Sequence, residues 1–279
     1  MEIRSHAKIN WSLRITGRRA DGYHDLETLF QTITLHDTIA ITQSATLTLS
    51  CDDPLVPIDD TNLVLRAARA LGEPSVHIRL RKRIPPGGGL GGGSSNAAAT
   101  LLALDEMFSM RTPRQRLQQI ALSLGSDVPF FLAGGTAYAT GRGEQLTPMR
   151  SAAPIPLLLV FPPERVSTAE AFSLIRGDSR PLGVERYREM LDDDLLAHAD
   201  LLVNDFEEPV FARMPHLREL RDRLTAMGAA WARMTGSGST IVGAYRSQAI
   251  RDAARAAFSD VRCEAAETID ARPRVFVSA

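Results

Sequence analysis

Lysine is nearly absent from this 279-residue chain: of 32 basic residues only Lys8 and Lys82 are lysine. Arginine carries positive charge everywhere else, so these two positions stand out as places where a compact point charge replaces a planar fork. Chance or codon bias is the competing explanation until their placement is considered. An excess of charge of either sign is missing too. The 32 basic and 33 acidic side chains leave a net charge of −1, so no global field draws the chain to nucleic acid or to a membrane surface.

Cysteine is limited to Cys51 and Cys263, far apart and without a CxxC spacing or histidine company. That excludes a disulfide framework and a zinc site. The six histidines are scattered as well. No apolar run is long enough to span a bilayer, the longest (152–163) being broken by prolines. The opening "MEIRSHAKINWSL" carries charges where a signal peptide needs an apolar run. These absences predict a cytoplasmic protein without nucleic-acid or membrane partners, metal-independent or only loosely metal-assisted. They leave any metal ligands unassigned.

What is present reads as α+β. Residues 3–15 alternate, with Ile3, Ala7, Ile9, Trp11, Leu13 and Ile15 on one face and Arg4, His6, Lys8, Asn10, Ser12 and Arg14 on the other. This predicts a half-buried strand with Lys8 and Asn10 on its polar face. A turn at Asp21-Gly22 follows, then strands "TLFQTITL", "DTIAIT" and "ATLTLS". Asn62 opens a helix that Gly72 stops, and "SVHIRLRKRI" alternates as a strand. Beyond the glycine-rich stretch, Ser94 or Ser95 is the expected N-cap of a helix, and Thr112-Pro113 starts another. "SDVPFFLAGGTAYATGRGE" reads as a helix-start turn feeding a hairpin. "TPMRSAAPIP" then marks a boundary near residue 150. The remainder reads strand-helix-strand-strand-helix-strand, the split βαβ pattern, with helices from Thr168, Val184, Asn204 and Pro215. The expectation is two α+β lobes, 1–150 and 151–279, the first richer in strands.

Between strand and helix lies "IPPGGGLGGGSSNAA", with six glycines from Gly87 to Gly93. A flexible linker does not suit a stretch so tightly bracketed by regular elements. Gly88 and Gly93 have Walker A spacing, but Ser94 stands where that motif requires lysine. Gly87, Gly89 and Gly92 fit the dinucleotide fingerprint. Yet the preceding strand alternates instead of being apolar on both faces, and no acidic residue ends a strand about 20 residues on. An anion cradle remains: glycines bring backbone N–H groups to a polyphosphate, and the helix start adds its positive end. Ser94 and Ser95 are placed to donate to phosphate or to reach magnesium, and Lys82 lies just before the loop.

The stretch "PPGGGLGGGSSNAA" resembles the glycine-rich motif of the GHMP small-molecule kinases. "AKINWSLRITGRRADGYHDLETLFQ", "LGSDVPFF" and "MTGSGSTIVGAY" resemble further segments of that family, so the likeness runs from the N-terminus to about residue 245. It implies a two-lobed fold, an S5-like βα lobe followed by a ferredoxin-like split-βαβ lobe, with the active site between them. It also implies ATP, as Mg-ATP, for phosphate transfer to the 2-hydroxyl of a small molecule, a cytidyl-diphospho-methylerythritol, by a monomer or weak homodimer. Departures are modest: Trp11 stands where an aliphatic residue is usual, and Pro86 where other apolar residues occur.

The same resemblance implies the site residues. Lys8 and Asp127 match the catalytic pair. Asp127 would accept the proton of the attacking hydroxyl as transfer proceeds; the plainer reading is an N-cap in "SDVPFF". Lys8 would hold Asp127 ionised, where an isolated strand lysine is ordinarily solvated. Pro85, Pro86, Gly87, Gly88, Gly89, Leu90, Gly91, Gly92, Gly93, Ser94 and Ser95 match the nucleotide loop, and Lys82 and Asn96 match positions near the adenine. Asn10 shares the face of Lys8 and is expected to bind substrate. Tyr23 and His24 match positions around the cytosine ring, and Phe172 a second aromatic on its opposite face. The competing readings are a turn aromatic and a core phenylalanine. Gly236, Ser237 and Gly238 would close on substrate phosphates, or form a simple hairpin turn.

Overall fold

The computed structural model describes residues 1–270 and the strand at 275–276. Its first sheet is built around two long antiparallel strands, β1 (Glu2–Arg18) and β2 (His24–Gln43), joined by the turn that holds Tyr23. β3 (Thr48–Cys51) and β4 (Val76–Arg81) extend the sheet beyond β2, β4 antiparallel to β2 and β3 parallel to β4. The hairpin of β5 (Thr136–Thr140) and β6 (Gln145–Met149) joins β2 at its other end, through Thr28 to Gln31.

Four helices accompany this sheet: α1 (Leu63–Ala70), α2 (Gly92–Met107), α3 (Arg114–Leu124) and α4 (Val128–Ala133). Asn62 caps α1 by accepting from Val64 N at 2.9 Å, and Gly72 ends it at φ 102°, as the residue types require. Pro113, and not Thr112, occupies the N-cap of α3. Its fixed φ of −55° leads directly into the first turn.

The second sheet has the order β10 (Arg262–Glu267), β7 (Pro156–Phe161), β9 (Ile241–Ala244), β8 (Trp231–Met234), every neighbour antiparallel. That order is the split βαβ arrangement read from the alternation of elements. α5 (Thr168–Leu174), α6 (Val184–Asp192), a 3-10 turn at Leu195–His198, α7 (Glu207–Arg213) and α8 (Pro215–Ala226) lie between β7 and β8, and α9 (Gln248–Ala256) precedes β10. The helix expected from Asn204 begins at Glu207, because Asn204 and Asp205 are used to contact β1. The chain then crosses back: Ile269 N donates to Thr32 O at 3.0 Å, and β11 (Val275–Phe276) pairs with β1. The change of sheet between Met149 and Pro156 therefore does not separate two cores. Ala7, Ile9 and Trp11 of β1 share a cluster with Leu157, Leu159, Trp231 and Val242. No helix among the described residues is long and apolar enough to cross a membrane.

Two strand readings change. "TLFQTITL" and "DTIAIT" are one strand, β2, because Asp37 does not turn the chain but is buried within it. The middle of the β1 polar face is not solvated either. Lys8, Asn10 and Ser12 are all at most 4% exposed, while Arg4 at the start of that face is exposed and His6 and Arg14 are half-buried. Burying such a polar row is costly unless each group has a partner, and the partners form the site.

Candidate active site

The glycine stretch is an ordered turn wedged between both halves of the molecule. A Cβ on Gly89, at φ +75°, would stand 2.0 Å from Thr235 O, and one on Gly91, at φ +70°, would stand 2.7 Å from the Phe131 ring. Only glycine permits both the left-handed backbone and the close approach. α2 starts at Gly92 with Gly91 as N-cap, three residues before Ser94 and four before Ser95, the expected caps. Ser95 is instead turned inward, donating to His6 O at 2.6 Å, while Ser94 is half-buried in the first turn. The amides of Gly92, Gly93 and Ser94 have no acceptor within the helix. Leu90 is buried, its carbonyl accepting from Lys8 N at 3.0 Å. Pro85, Pro86, Gly87 and Gly88 line a cavity of about 510 Å³ facing Arg83, Arg165 and Arg262.

Lys82 also lines this cavity, but its ammonium is committed to protein partners. It donates to Asp37 Oδ2 at 2.5 Å and to Asn96 Oδ1 at 3.3 Å, with 5% of the side chain exposed. Asp37 is fully buried and also accepts from Asn96 Nδ2, Arg83 N and Ile84 N at 2.7–2.9 Å. Lys82 and Asn96, expected beside the adenine, thus meet in an ionic knot that ties β2, the end of β4 and α2 together at the root of the loop. Asp37 was not singled out from sequence. The signal was available: Ile33, Leu35, Asp37, Ile39 and Ile41 share one phase of the strand, and an acid on a buried phase requires a buried cation.

On the other side of α2, Lys8 and Asn10 project into a second buried cluster. Lys8 Nζ donates to Asn10 Oδ1 at 2.6 Å and stands 3.9 Å from Asp127 Oδ2 and 5.3 Å from the centroid of Phe30. Burial holds the Lys8 ammonium below the usual lysine pKa, and the charge of Asp127 acts in the opposite direction. Asn10 Nδ2 donates to Thr28 Oγ1 at 2.8 Å, and Asn10 N donates to Thr235 Oγ1 at 3.0 Å. Asp127 stands at the N-terminus of α4, yet its side chain caps no amide of that helix. Its carboxylate is about a third exposed and points at the lysine.

The turn after β8 completes the cluster. Asn204 Nδ2 donates to Met234 O at 2.7 Å and to Gly236 O at 2.8 Å, gripping both sides of Thr235. Glu207 Oε1 accepts from Met234 N at 2.7 Å. Burial pushes the Glu207 carboxyl up to about 7, against the hydrogen bond from Met234 N and the charges of Arg233 and Arg221. Segment 203–205 is itself pinned to β1, through Leu13 N to Val203 O and Ile15 N to Asp205 Oδ2. Ser237 is hydrogen-bonded to Thr168 Oγ1 at 3.1 Å, and Gly236 and Gly238 take φ of +57° and +92°. A Cβ on Gly236 would stand 2.9 Å from Gly89 O, so the two glycine-containing turns touch backbone to backbone. Asn204, Glu207, Thr28 and Thr235 were all missed in the sequence, where each looks like an ordinary polar residue.

The aromatic residues lie at the outer end of β1 and β2. His24 stacks directly on Phe172, centroids 5.0 Å apart at 18°, and Phe206 meets Phe172 edge-on at 4.9 Å. His24 and Phe172 thus enclose no space for a third ring between them, and a base that stacks on this face of Phe172 has to move the imidazole. Tyr23 is 55% exposed, with the Arg142 guanidinium 4.7 Å from its ring centroid. Among the described residues no group of three His, Cys, Asp or Glu side chains is arranged to hold a metal ion.

Residues 62–135, which include the glycine loop and Asp127, match the GHMP kinases N terminal domain, and residues 185–261, which include Asn204 and the 234–240 turn, match the GHMP kinases C terminal domain. A 4-diphosphocytidyl-2-C-methyl-D-erythritol kinase of Chlorobaculum parvum is 42% identical over 259 residues, covering 90% of this chain and 91% of that one. This chain belongs to the GHMP kinases. Within them, the enzyme of the same name from Chlorobaculum tepidum is 41% identical, covering 91% and 92%. A crystal structure of a 4-(cytidine 5'-diphospho)-2C-methyl-D-erythritol kinase superimposes with a TM-score of 0.84 at 37% identity, covering 96% of this chain and 99% of that one. As a GHMP kinase the protein takes its phosphate from ATP.

Proposed function

We propose that this GHMP kinase transfers the γ-phosphate of ATP to the 2-hydroxyl of 4-diphosphocytidyl-2-C-methyl-D-erythritol, in the non-mevalonate supply of isoprenoid precursors. The observation that carries this reading is the meeting of Lys8 and Asp127 at 3.9 Å, beside the two touching glycine turns. Phosphoryl transfer has a loose transition state, so a protein contributes mainly position and charge. Asp127, partly exposed and bound to no helix amide, takes the hydroxyl proton as the new P–O bond forms. Lys8, held by Asn10, sets its positive charge beside that carboxylate and polarises the hydroxyl oxygen.

The free amides at the start of α2, with Gly87 to Gly93 and the Ser94 hydroxyl, receive the nucleotide phosphates. Pro85 and Pro86 border its remaining part. Magnesium would supply neutralisation of phosphate charge. Among the described residues no group of three His, Cys, Asp or Glu side chains is arranged to hold it. Gly236, Ser237 and Gly238 close on the acceptor's phosphates, and Tyr23, His24 and Phe172 take its cytosine, with the imidazole moving off the phenyl face as the base enters. Lys82 and Asn96 shape the adenine side of the loop from beneath, through Asp37.

The stacked His24 and Phe172 also favour testing acceptors without a ring, such as homoserine or mevalonate. The purified chain with Mg-ATP should release ADP with the cytidyl acceptor and not with homoserine or mevalonate. ADP release with either of those and none with the cytidyl compound would replace this reading with that of a sister kinase.

A further inference from the structure

The turn between β5 and β6 contains a cation that the site described so far does not use. Arg142 is half-buried, and its guanidinium lies over the Tyr23 ring at 4.7 Å from the centroid. Its next neighbour, Gly143, faces the reaction centre: a Cβ built there would stand 3.8 Å from Asp127 Oδ1 and 3.7 Å from the Phe30 ring. The turn is held in place from both sides. Leu26 N donates to Gly141 O at 2.7 Å, and Glu144 Oε2 accepts from Arg142 N at 2.6 Å. Two adjacent residues therefore span the distance from the aromatic at the mouth of the site to the carboxylate at its centre.

No carboxylate among the described residues lies within ion-pair distance of the Arg142 guanidinium. Asp21 feels its field but is bonded through both oxygens to Arg19 Nε at 3.2 Å, and Glu144 is turned to the Arg142 backbone. Of the other basic groups along β1, Arg19 is paired with Asp21 and Asp25, Arg14 donates to Leu201 O and Lys8 is held by Asn10 and Asp127, while Arg18, opposite His24, is exposed. A guanidinium offers a fork that fits phosphate oxygens, and stacking on an aromatic ring holds that fork in plane.

We propose that Arg142 binds the diphosphate of a cytidine diphosphate group. The inference rests on the acceptor assigned above. In that acceptor the diphosphate is covalently placed between the pyrimidine and the reacting hydroxyl, and Arg142 stands between Tyr23 and the Asp127 end of the site. The cation–π contact with Tyr23 holds the guanidinium at the ring, so a single side chain links recognition of the ring to placement of the hydroxyl.

The test uses the full chain and two probes, cytidine and CDP, titrated by calorimetry into wild type, Arg142→Gln and Arg142→Lys. Wild type should bind CDP more tightly than cytidine. Arg142→Gln should lose about tenfold or more in CDP affinity, the worth of a charge-assisted contact, with cytidine affinity little changed. Arg142→Lys should recover part of the loss. An increment of CDP over cytidine that survives in Arg142→Gln overturns the assignment while leaving the proposed acceptor intact. An equal loss for both probes also overturns it, by showing that the arginine acts on the ring. A rise in KM for ATP without a change in CDP binding moves the arginine to the nucleotide and overturns it likewise. Failure of the wild type to bind either probe removes the proposed acceptor itself, and this inference with it.

Discussion

The ammonium of Lys8 donates to Asn10 Oδ1 at 2.6 Å, a closer partner than Asp127 at 3.9 Å. Asn10 is thus the side chain that fixes where the buried charge sits, and Thr28 and Thr235 in turn fix Asn10. In the Asn10→Ala variant the ammonium loses its short contact and can settle away from the acceptor hydroxyl. We expect kcat to fall about ten- to a hundredfold, the loss of one hydrogen bond to a charged group, with little change in KM for ATP. Steady-state kinetics check this, and an unchanged kcat would show that Asp127 alone places Lys8.

Asp37 is the only carboxylate paired with Lys82 among the described residues, and both side chains are almost wholly buried. Removing one member of a buried ion pair strands the other, at a cost of about 3–5 kcal/mol. The Asp37→Ala variant should lose stability of that order in urea unfolding. A loss of under about 1 kcal/mol, as for a surface pair, would mean that the lysine finds another partner or water.

Two glycines of the loop separate backbone strain from collision. Gly87 and Gly89 have nearly equal φ, +74° and +75°, but a Cβ at Gly87 meets nothing within 4 Å, whereas at Gly89 it meets Thr235 O at 2.0 Å. Gly87→Ala should cost about 1–2 kcal/mol, the left-handed penalty alone. Gly89→Ala must also push the two turns apart, so it should destabilise more and lower kcat together with ATP affinity. Equal effects at the two positions would contradict the contact between the turns.

Glu207 gives a dependence on pH whose sign can be worked out. Its carboxyl is raised from the usual 4.5 to about 7, with burial the largest cause. Between those values the folded protein holds a proton that the unfolded chain has released, so stability falls as pH rises through the window. The fall is at most about 3 kcal/mol. Glu207→Gln keeps an acceptor for Met234 N and cannot titrate. Its stability relative to wild type, by urea unfolding, should improve from pH 5 to pH 8. A difference independent of pH would mean that Arg221 and Arg233 already hold the carboxylate ionised in the fold.

What the sequence made legible follows the range of the signal. The cap at Asn62, the stop at Gly72, the alternation of β4 and the order of elements in the second sheet are set by neighbours along the chain, and these read correctly. β1 read only as half-buried because the period of a strand shows that two faces differ, not what covers the second. The serine caps failed for a related reason: glycine is a poor helix former, but a Cβ on Gly91 would collide with the Phe131 ring at 2.7 Å and one on Gly92 with Ile84 at 2.9 Å, so the tertiary fit and not local propensity sets where α2 begins. Asn204, Thr235 and Asp37 act through partners up to some two hundred residues away, a distance over which no local pattern carries information.

The central claim is that Asp127 receives the proton of the accepting hydroxyl. The most direct measurement is kcat of Asp127→Asn with Mg-ATP and the cytidyl acceptor, alongside calorimetric binding of a non-hydrolysable ATP analogue. The account predicts a fall in kcat of at least about a hundredfold with nucleotide affinity retained. A variant that turns over near the wild-type rate would contradict it and leave Asp127 as the residue that precedes α4 and no more.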